Sequence, residues 1–485
     1  MRVTGSIATT PGVPATPDRP DMATGRVERF LERVDPAVIG GLFFLLALIV
    51  YVASNPERQN FYNHFVWQAD AFLHGQASIA YPVSSGSVQN FYFQDVLRGP
   101  WPQDQPIVPA GRGLLPFPPL PAVLLMPFVA LWGLGTDAAL LCAILGAINV
   151  ALCWRMLTRV TDRRWAAVAG TLFYAFGTVA WYAAMLGSTW YAAHVVASTF
   201  LFLGITAALD AEAREVALGA TRRVLGFIDL RQFIAGMLFG LAALARLTTI
   251  FGAPFFVFVG GGGSLARRAV AAGLGAAIPV ALLLGYNVVT TDHLFNPAYD
   301  SIREAEYKPV PAYYHENWSI EDLRYVPQNA VIMLAWLPQA PYFTPACQAD
   351  SSSGATDQAT PPTGLGLLFD TDCAVLKPDP LGMSIFLTSP LYLLAVPLTL
   401  LDRRRRLVIG AALAVVAVAF VNLMHFSQGW VQFGYRFSND FAPFAVILVA
   451  LAIARFRWHW LSLGLLGLSL LVNAWGVYWG VALRW

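Results

Sequence analysis

The sequence predicts an all-α polytopic membrane protein of about eleven transmembrane helices with two large extracytoplasmic loops. Three observations predict it. Of 485 residues, 57% are hydrophobic and 12% charged, and the mean hydropathy is +0.56, whereas soluble domains carry roughly 25% charged residues. Apolar runs able to span a ~30 Å hydrocarbon layer recur along the chain. The basic residues gather in short clusters between those runs, as cytoplasmic loops do. A net charge of +2 gives no reason to expect a nucleic-acid partner. There is no P-loop, no GxGxxG after a strand, no HExxH and no Cys-pair zinc spacing. Nor is there an inverted internal repeat of the transporter kind.

Residues 1–35, including "TTPGVPATPDRP", are polar and Pro-rich and read as a disordered cytoplasmic N-terminus. They lack a basic n-region followed by a short apolar core, which argues against a cleaved signal peptide and makes the first crossing its own signal. Residues 36–290 read as an N-terminal transmembrane module that includes an outer loop, 55–136, with juxtamembrane helices. Its expected crossings are Ala37–Ser54, Asp137–Leu157, Ala166–Leu186, Tyr191–Leu209, Phe233–Leu247, Ile250–Gly260 and Val270–Val289. A second large outer loop follows, 291–380. The C-terminal helices, 381–485, are expected at Leu381–Leu401, Leu407–Met424, Phe441–Arg455 and Trp460–Trp479.

Charge parity decides the one ambiguous segment, Leu114–Gly133. Basic clusters occur at Arg26/Arg29/Arg33, Arg155/Arg159/Arg163/Arg164, Arg222/Arg223, Arg267/Arg268, Arg403–Arg406 and Arg455/Arg457. All fall in the cytoplasm only if Leu114–Gly133 does not cross. Its prolines 116, 118, 119, 121 and 127 remove backbone donors and break helix, which suits a juxtamembrane segment. The N-terminus is then inside, the C-terminus outside, and both large polar loops lie on one outer face.

Four cysteines divide into two kinds. Cys142 and Cys153 sit in an apolar run and read as inert packing residues. Cys347 and Cys373 lie in the second loop, where an extracytoplasmic position permits a disulfide.

Polar residues at the outer boundary are the candidates for chemistry. In "NFYNHFVWQADAFLHGQ", helical spacing puts Phe65, Ala69, Phe72 and Leu73 on one face, with Asp70 at its edge beside Trp67. An apolar setting makes a carboxylate a better base for a hydroxyl proton; the plain alternative is the solvated edge of an interfacial helix. Asn63 and His64 lie about two turns earlier, as accessory groups or as headgroup-level residues. Arg246, in "GLAALARLTTIF", is a cation at the outer end of a membrane segment, where it needs an anionic partner. A lipid phosphate matches the guanidinium fork; snorkelling toward headgroups is the alternative. Arg436, near Tyr435 and Asp440 in "WVQFGYRFSND", either pairs locally with the acid or binds a ligand. His194 falls one turn inside the membrane and is either a packing residue or an accessory one. Asp370 and Asp372 resemble a metal-binding DxD but equally suit an exposed loop. Asp350–Thr363 reads as a flexible excursion, and Glu304, Glu306, Glu316 and Glu321 as solvated charges. No cofactor is named by these patterns, and a divalent metal stays open.

Four pieces in order resemble the GT-C superfamily of integral-membrane glycosyltransferases, the group of the protein O-mannosyltransferases and the lipid A aminoarabinose transferases. They are "VWQADAFLHG" after a first crossing, the Pro-rich "GRGLLPFPPLPAVLLMPFVALWG", "GLAALARLTT" leading to "YNVVTTDHLFNPAY", and "FGYRFSNDFAPF" opening a late crossing. The resemblance implies a polyprenyl-phosphate sugar donor, an outer-face site, and an acceptor that is protein, lipid or glycan. It implies an inverting transfer with Asp70 as general base and Arg246 and Arg436 on the donor phosphate. Asn63, His64, His194, Tyr435 and Asp440 are accessory candidates. The family's acid often lies nearer the first crossing, where Asn63 and His64 stand. Two rivals are a transporter or lipid flippase, and a ligase or polymerase of lipid-linked glycans; substrate moved unaltered marks the first, a whole oligosaccharide leaving its carrier the second.

Overall fold

In a computed structural model, the structure describes residues 22–58, 62–85, 88–90, 94–218, 223–224, 228–304, 308, 314–344, 347, 368–429, 431–456 and 459–485. Arg222, Glu306, Asp350–Thr363 and Arg457 lie outside them. The chain is an all-α, multi-pass membrane protein. Six helices are long and apolar enough to cross alone: α2 (Pro36–Ser54), α5 (Ala138–Val160), α8 (Thr189–Leu218), α11 (Leu265–Thr291), α14 (Arg406–Leu423) and α16 (His459–Ala482). The pair α6 (Arg164–Phe176) and α7 (Ala180–Leu186), bent by 48°, is long and apolar enough for a seventh only when the two are taken together. The other four expected spans are shorter apolar pieces. They comprise α9 (Leu230–Ala243), a 3-10 turn Leu247–Gly252 running into α10 (Ala253–Phe258), a 3-10 turn Pro390–Leu394 running into α13 (Ala395–Leu401), and α15 (Ala442–Arg455).

Contacts sort the connections to two ends of the bundle. At one end Arg159 Nε meets Asp210 Oδ1 at 2.6 Å, and Trp165 lies 5.2 Å from His459. Arg268 and Arg406 act together on Glu212 at that same end. Helix α1 (Met22–Arg33), within the stretch read as disordered, docks there too. Its Glu28 carboxylate accepts from the amides of Arg164 (2.7 Å) and Trp165 (3.1 Å), filling the open donors at the start of α6. The clusters around Arg159, Arg164, Arg268 and Arg406 thus share one end.

The opposite end gathers the polar loops. Asn55, just beyond α2, donates to the Met185 carbonyl at 3.0 Å, and Arg58 pairs with Asp137, just before α5, at 2.5 Å. The first loop therefore leaves and returns at the same end. Between those points stand α3 (His64–Leu73), a small sheet and α4 (Leu120–Trp132). The sheet has strand order β1-β3-β2, with β1 (Ile79–Ala80), β2 (Leu97–Arg98) and β3 (Arg112–Leu114) antiparallel and Ile79 opposite Gly113. Thirteen residues of α4 extend roughly 20 Å, short of the hydrocarbon layer. Helix α4 packs instead on α3 in a satellite core of Phe65, Trp67, Leu115, Phe117 and Ala193.

In the second loop, helix α12 (Val326–Ala335) stands before the disulfide Cys347–Cys373, with Cα atoms 5.6 Å apart. Cys142 and Cys153 are buried and free. Closing a loop 26 residues apart in sequence removes unfolded-state entropy worth about 3 kcal/mol. Cys373→Ser should lower the second loop's stability by up to about that amount, read as faster proteolysis of the loop. Asp370 Oδ1 accepts from the amides of Asp372 (2.9 Å) and Cys373 (2.5 Å), so the acid closes the turn at the disulfide.

Candidate functional site

Four separate stretches converge where α9 turns back. Helix α9 ends at Ala243, Arg246 is extended, and the chain re-enters the bundle at Leu247. The apex therefore carries Arg246 at the loop end, opposite the turn Arg436–Asp440 that precedes α15. Asp440, 1% exposed, holds these pieces together. Its Oδ1 accepts from His194 Nδ1 (2.7 Å) and Arg246 Nε (3.3 Å). Its Oδ2 accepts from Arg246 Nη2 (3.0 Å), Thr248 Oγ1 (2.8 Å) and Asn422 Nδ2 (3.2 Å). Burial alone would raise the Asp440 pKa; Arg246 and His194 overcome it and hold the carboxyl well below its usual range. An ionised carboxylate only accepts, so His194 donates through Nδ1 and its Nε2 is left as an acceptor. Nε2 is buried without a partner among the described residues, beside a small internal cavity shared with Asn149, Ser198 and Asn439.

Arg246 thus finds its anion in Asp440. Arg436 does not take that acid. Among the described residues its Nε is buried without a partner, and it has no carboxylate within ion-pair distance. The guanidinium lies 5.8 Å from the Trp190 ring and 5.3 Å from that of Phe437. It also rests on Gly429 (φ +106°), where a Cβ would stand 2.8 Å from Nε. Tyr435 is buried, its hydroxyl has no partner among the described residues, and burial raises its pKa.

Trp190 ties this cation to the first loop. Its Nε1 donates to Asp95 Oδ2 at 2.7 Å, and its ring meets Tyr62 at 4.7 Å and His64 at 6.1 Å. Asp95 is 4% exposed and its Oδ1 has no partner among the described residues. Burial raises its pKa, while the Trp190 bond and the charges of Arg436 and His425 pull the other way without cancelling the rise. Among the described residues Asn63 caps no amide with its side chain, and its Oδ1 is buried without a partner. His64 Nδ1 lies 2.8 Å from Thr189 Oγ1, and burial pushes its pKa down to about 3. His64 is therefore a neutral ring that fastens α3 to the start of α8.

Among the described residues Asp70 makes no hydrogen bond or ion pair with this group. Gln68 donates to the Tyr286 hydroxyl at 2.8 Å, and Phe72 packs on the same ring at 6.1 Å. At 100° per residue, position 70 lies on the other side of α3. The Asp70 side chain is 35% exposed, and its Oδ1 lies 3.8 Å from His74 Nδ1. The structure thus brings together His194, Arg246, Asp440, Tyr435 and Arg436, and adds Asn63 and His64 through Trp190. Asp95 and Trp190 were not singled out by the sequence, although Asp95 is an acid next to the aromatic run "NFYF". Glu321, expected to be solvated, lies 3.3 Å from His425 Nδ1. Among the described residues, no three His, Cys, Asp or Glu side chains come together to hold a metal.

No protein-family model matches the chain, and no curated protein matches it. Among solved structures the chain is similar to the oligosaccharyltransferase of Archaeoglobus fulgidus. The apo form matches at 13% identity and a TM-score of 0.46, over 92% of this chain. A form tethered by a disulfide to an acceptor peptide with the NVT sequon matches at 14% identity and the same TM-score. The chain spans 56% and 55% of those two chains, little more than half their length.

Proposed function

We propose that this protein transfers a sugar from a polyprenyl-phosphate carrier to an acceptor hydroxyl on the extracytoplasmic face, with inversion at the anomeric carbon. One observation carries the reading: Arg436, a half-buried cation without a carboxylate partner among the described residues, lies across Trp190 from Asp95, a buried first-loop acid. A base takes the acceptor proton, the acceptor oxygen bonds to the anomeric carbon, and the carbon–oxygen bond to phosphate breaks. The departing polyprenyl phosphate keeps the electron pair and is stabilised by the guanidinium.

Arg436 is the phosphate contact in this reading. Arg246 acts mainly by holding Asp440, and so the turn that presents Arg436. Asp95 fits the base because burial raises its pKa and, among the described residues, one of its oxygens has no partner. Asp70 is the second candidate, on the strength of its place in the GT-C-like stretch "VWQADAFLHG". The basic clusters at the far end of the bundle support an outer position for the site, and the disulfide supports an oxidising compartment for the second loop.

The test is turnover by the purified protein in nanodiscs, supplied with polyprenyl-phosphate sugars and read by mass spectrometry of the lipid. Release of free polyprenyl phosphate together with a glycosylated acceptor is expected. Movement of intact donor between leaflets without bond cleavage favours a flippase instead.

A further inference from the structure

The geometry points to helix α12 and the residues just after it as an in-plane membrane anchor, seated in the lipid leaflet nearest the loop end of the bundle. Helix α12 is apolar on both sides. Ile332 and Met333 face inward onto Leu423, Tyr435 and Phe437. On the outer side Val331 is 49% exposed and Leu334 45%, followed by Leu337 at 64% and Phe343 at 63%. Past exposed Gln328 and buried Asn329 in its first turn, the helix is apolar all round from Ala330 on; such a surface belongs in protein or lipid, and no described element covers this face.

Its depth is fixed at both ends. Asn329 Nδ2 donates to the carbonyls of Leu423 (2.9 Å), the last residue of membrane helix α14, and of His425 (2.8 Å). Ser384, which opens the return into the bundle, donates through Oγ to the Leu334 carbonyl (2.7 Å) and through its amide to that of Trp336 (3.0 Å). Helix α12 therefore lies at the level where two membrane segments emerge. The membrane helix it is tied to, α14, shows an apolar surface at the same level, with Phe420 46% exposed one turn before Leu423, and Phe369, 52% exposed, packs 5.2 Å from Tyr478 near the end of α16. Trp336 and Tyr342 stand where aromatic side chains line a membrane boundary. Bilayer lipid is the occupant that fits, because the face joins the one the crossing helices already show to it. Helix α12 then forms the wall between lipid and the turn that carries Arg436.

This rests on the fold alone and stands or falls apart from glycosyl transfer. The experiment places single spin labels by Val331→Cys, Leu334→Cys and Glu316→Cys, with Cys142 and Cys153 changed to Ala, in nanodiscs. Collision with oxygen, which favours lipid, is compared with collision with a water-soluble nickel chelate. Labels 5–10 Å into the boundary should show an oxygen-to-nickel ratio roughly tenfold above that at exposed position 316. A ratio at 331 and 334 equal to that at 316 overturns the proposal by placing the face in water. Exclusion of both agents overturns it by showing that protein covers the face.

Discussion

Asp95→Asn should lower the rate of sugar transfer by about 10²–10⁴-fold, the range lost when a positioned general base is removed, and leave the protein folded. The amide keeps an oxygen for the Trp190 Nε1 donor, so the packing around the 2.7 Å bond survives. It cannot take the acceptor proton. The pH profile gives a second reading. The raised pKa of Asp95 means its proton leaves at a higher pH than an ordinary carboxyl's, so kcat/KM should rise with pH through that raised value. Stability runs the other way. Between the unfolded and the raised folded pKa the native state binds more protons, so this group's contribution falls as pH rises through that window. Asp70→Asn, measured alongside, should change turnover far less. Collapse in Asp70→Asn with activity retained in Asp95→Asn would return the base role to Asp70.

Asp440→Ala should be the most destabilising single change in the site, costing about 3–5 kcal/mol because it strands a partly buried guanidinium. Arg246, Thr248, Asn422 and His194 all lose their common acceptor. The expected readout is a large fall in the thermal unfolding midpoint in nanodiscs. Pairing Asp440→Leu with Arg246→Met should recover much of that loss, since an apolar pair of similar volume carries no stranded charge. A double variant as unstable as Asp440→Ala would contradict the ion-pair explanation.

Much of the fold is legible in composition and charge. Each apolar run coincides with a helix or a broken helical piece, and the Arg58–Asp137 pair brings the two ends of the first loop, which contains Leu114–Gly133, to the same end of the bundle. Helix breaks are less legible, because the bend between Phe176 and Ala180 and the one at Ser389–Pro390 interrupt runs that hydropathy reads as continuous. In the site, the sequence shows that Arg246 needs an anion but not which one. Arg436 lies four residues from Asp440, whereas Arg246 lies 194 residues away and is the true partner. Tertiary placement decides that choice. Asp95 is hidden for the same reason: its partner Trp190 is 95 residues distant, and no helical or strand period marks a lone acid in a loop. Asp70 shows the converse, a residue with a clear local pattern whose ion-pair partner is His74, just past the end of its own helix.

The most direct measurement is the lipid that purifies with the protein, identified by mass spectrometry for the native chain and for Arg436→Gln. Losing a charge-assisted contact to phosphate should reduce the retained amount roughly tenfold or more. The prediction is a polyprenyl phosphate, or its sugar adduct, on the native protein and its loss from the variant. A native protein that carries none when supplied with it, or a variant that keeps as much, would contradict a carrier phosphate held at Arg436.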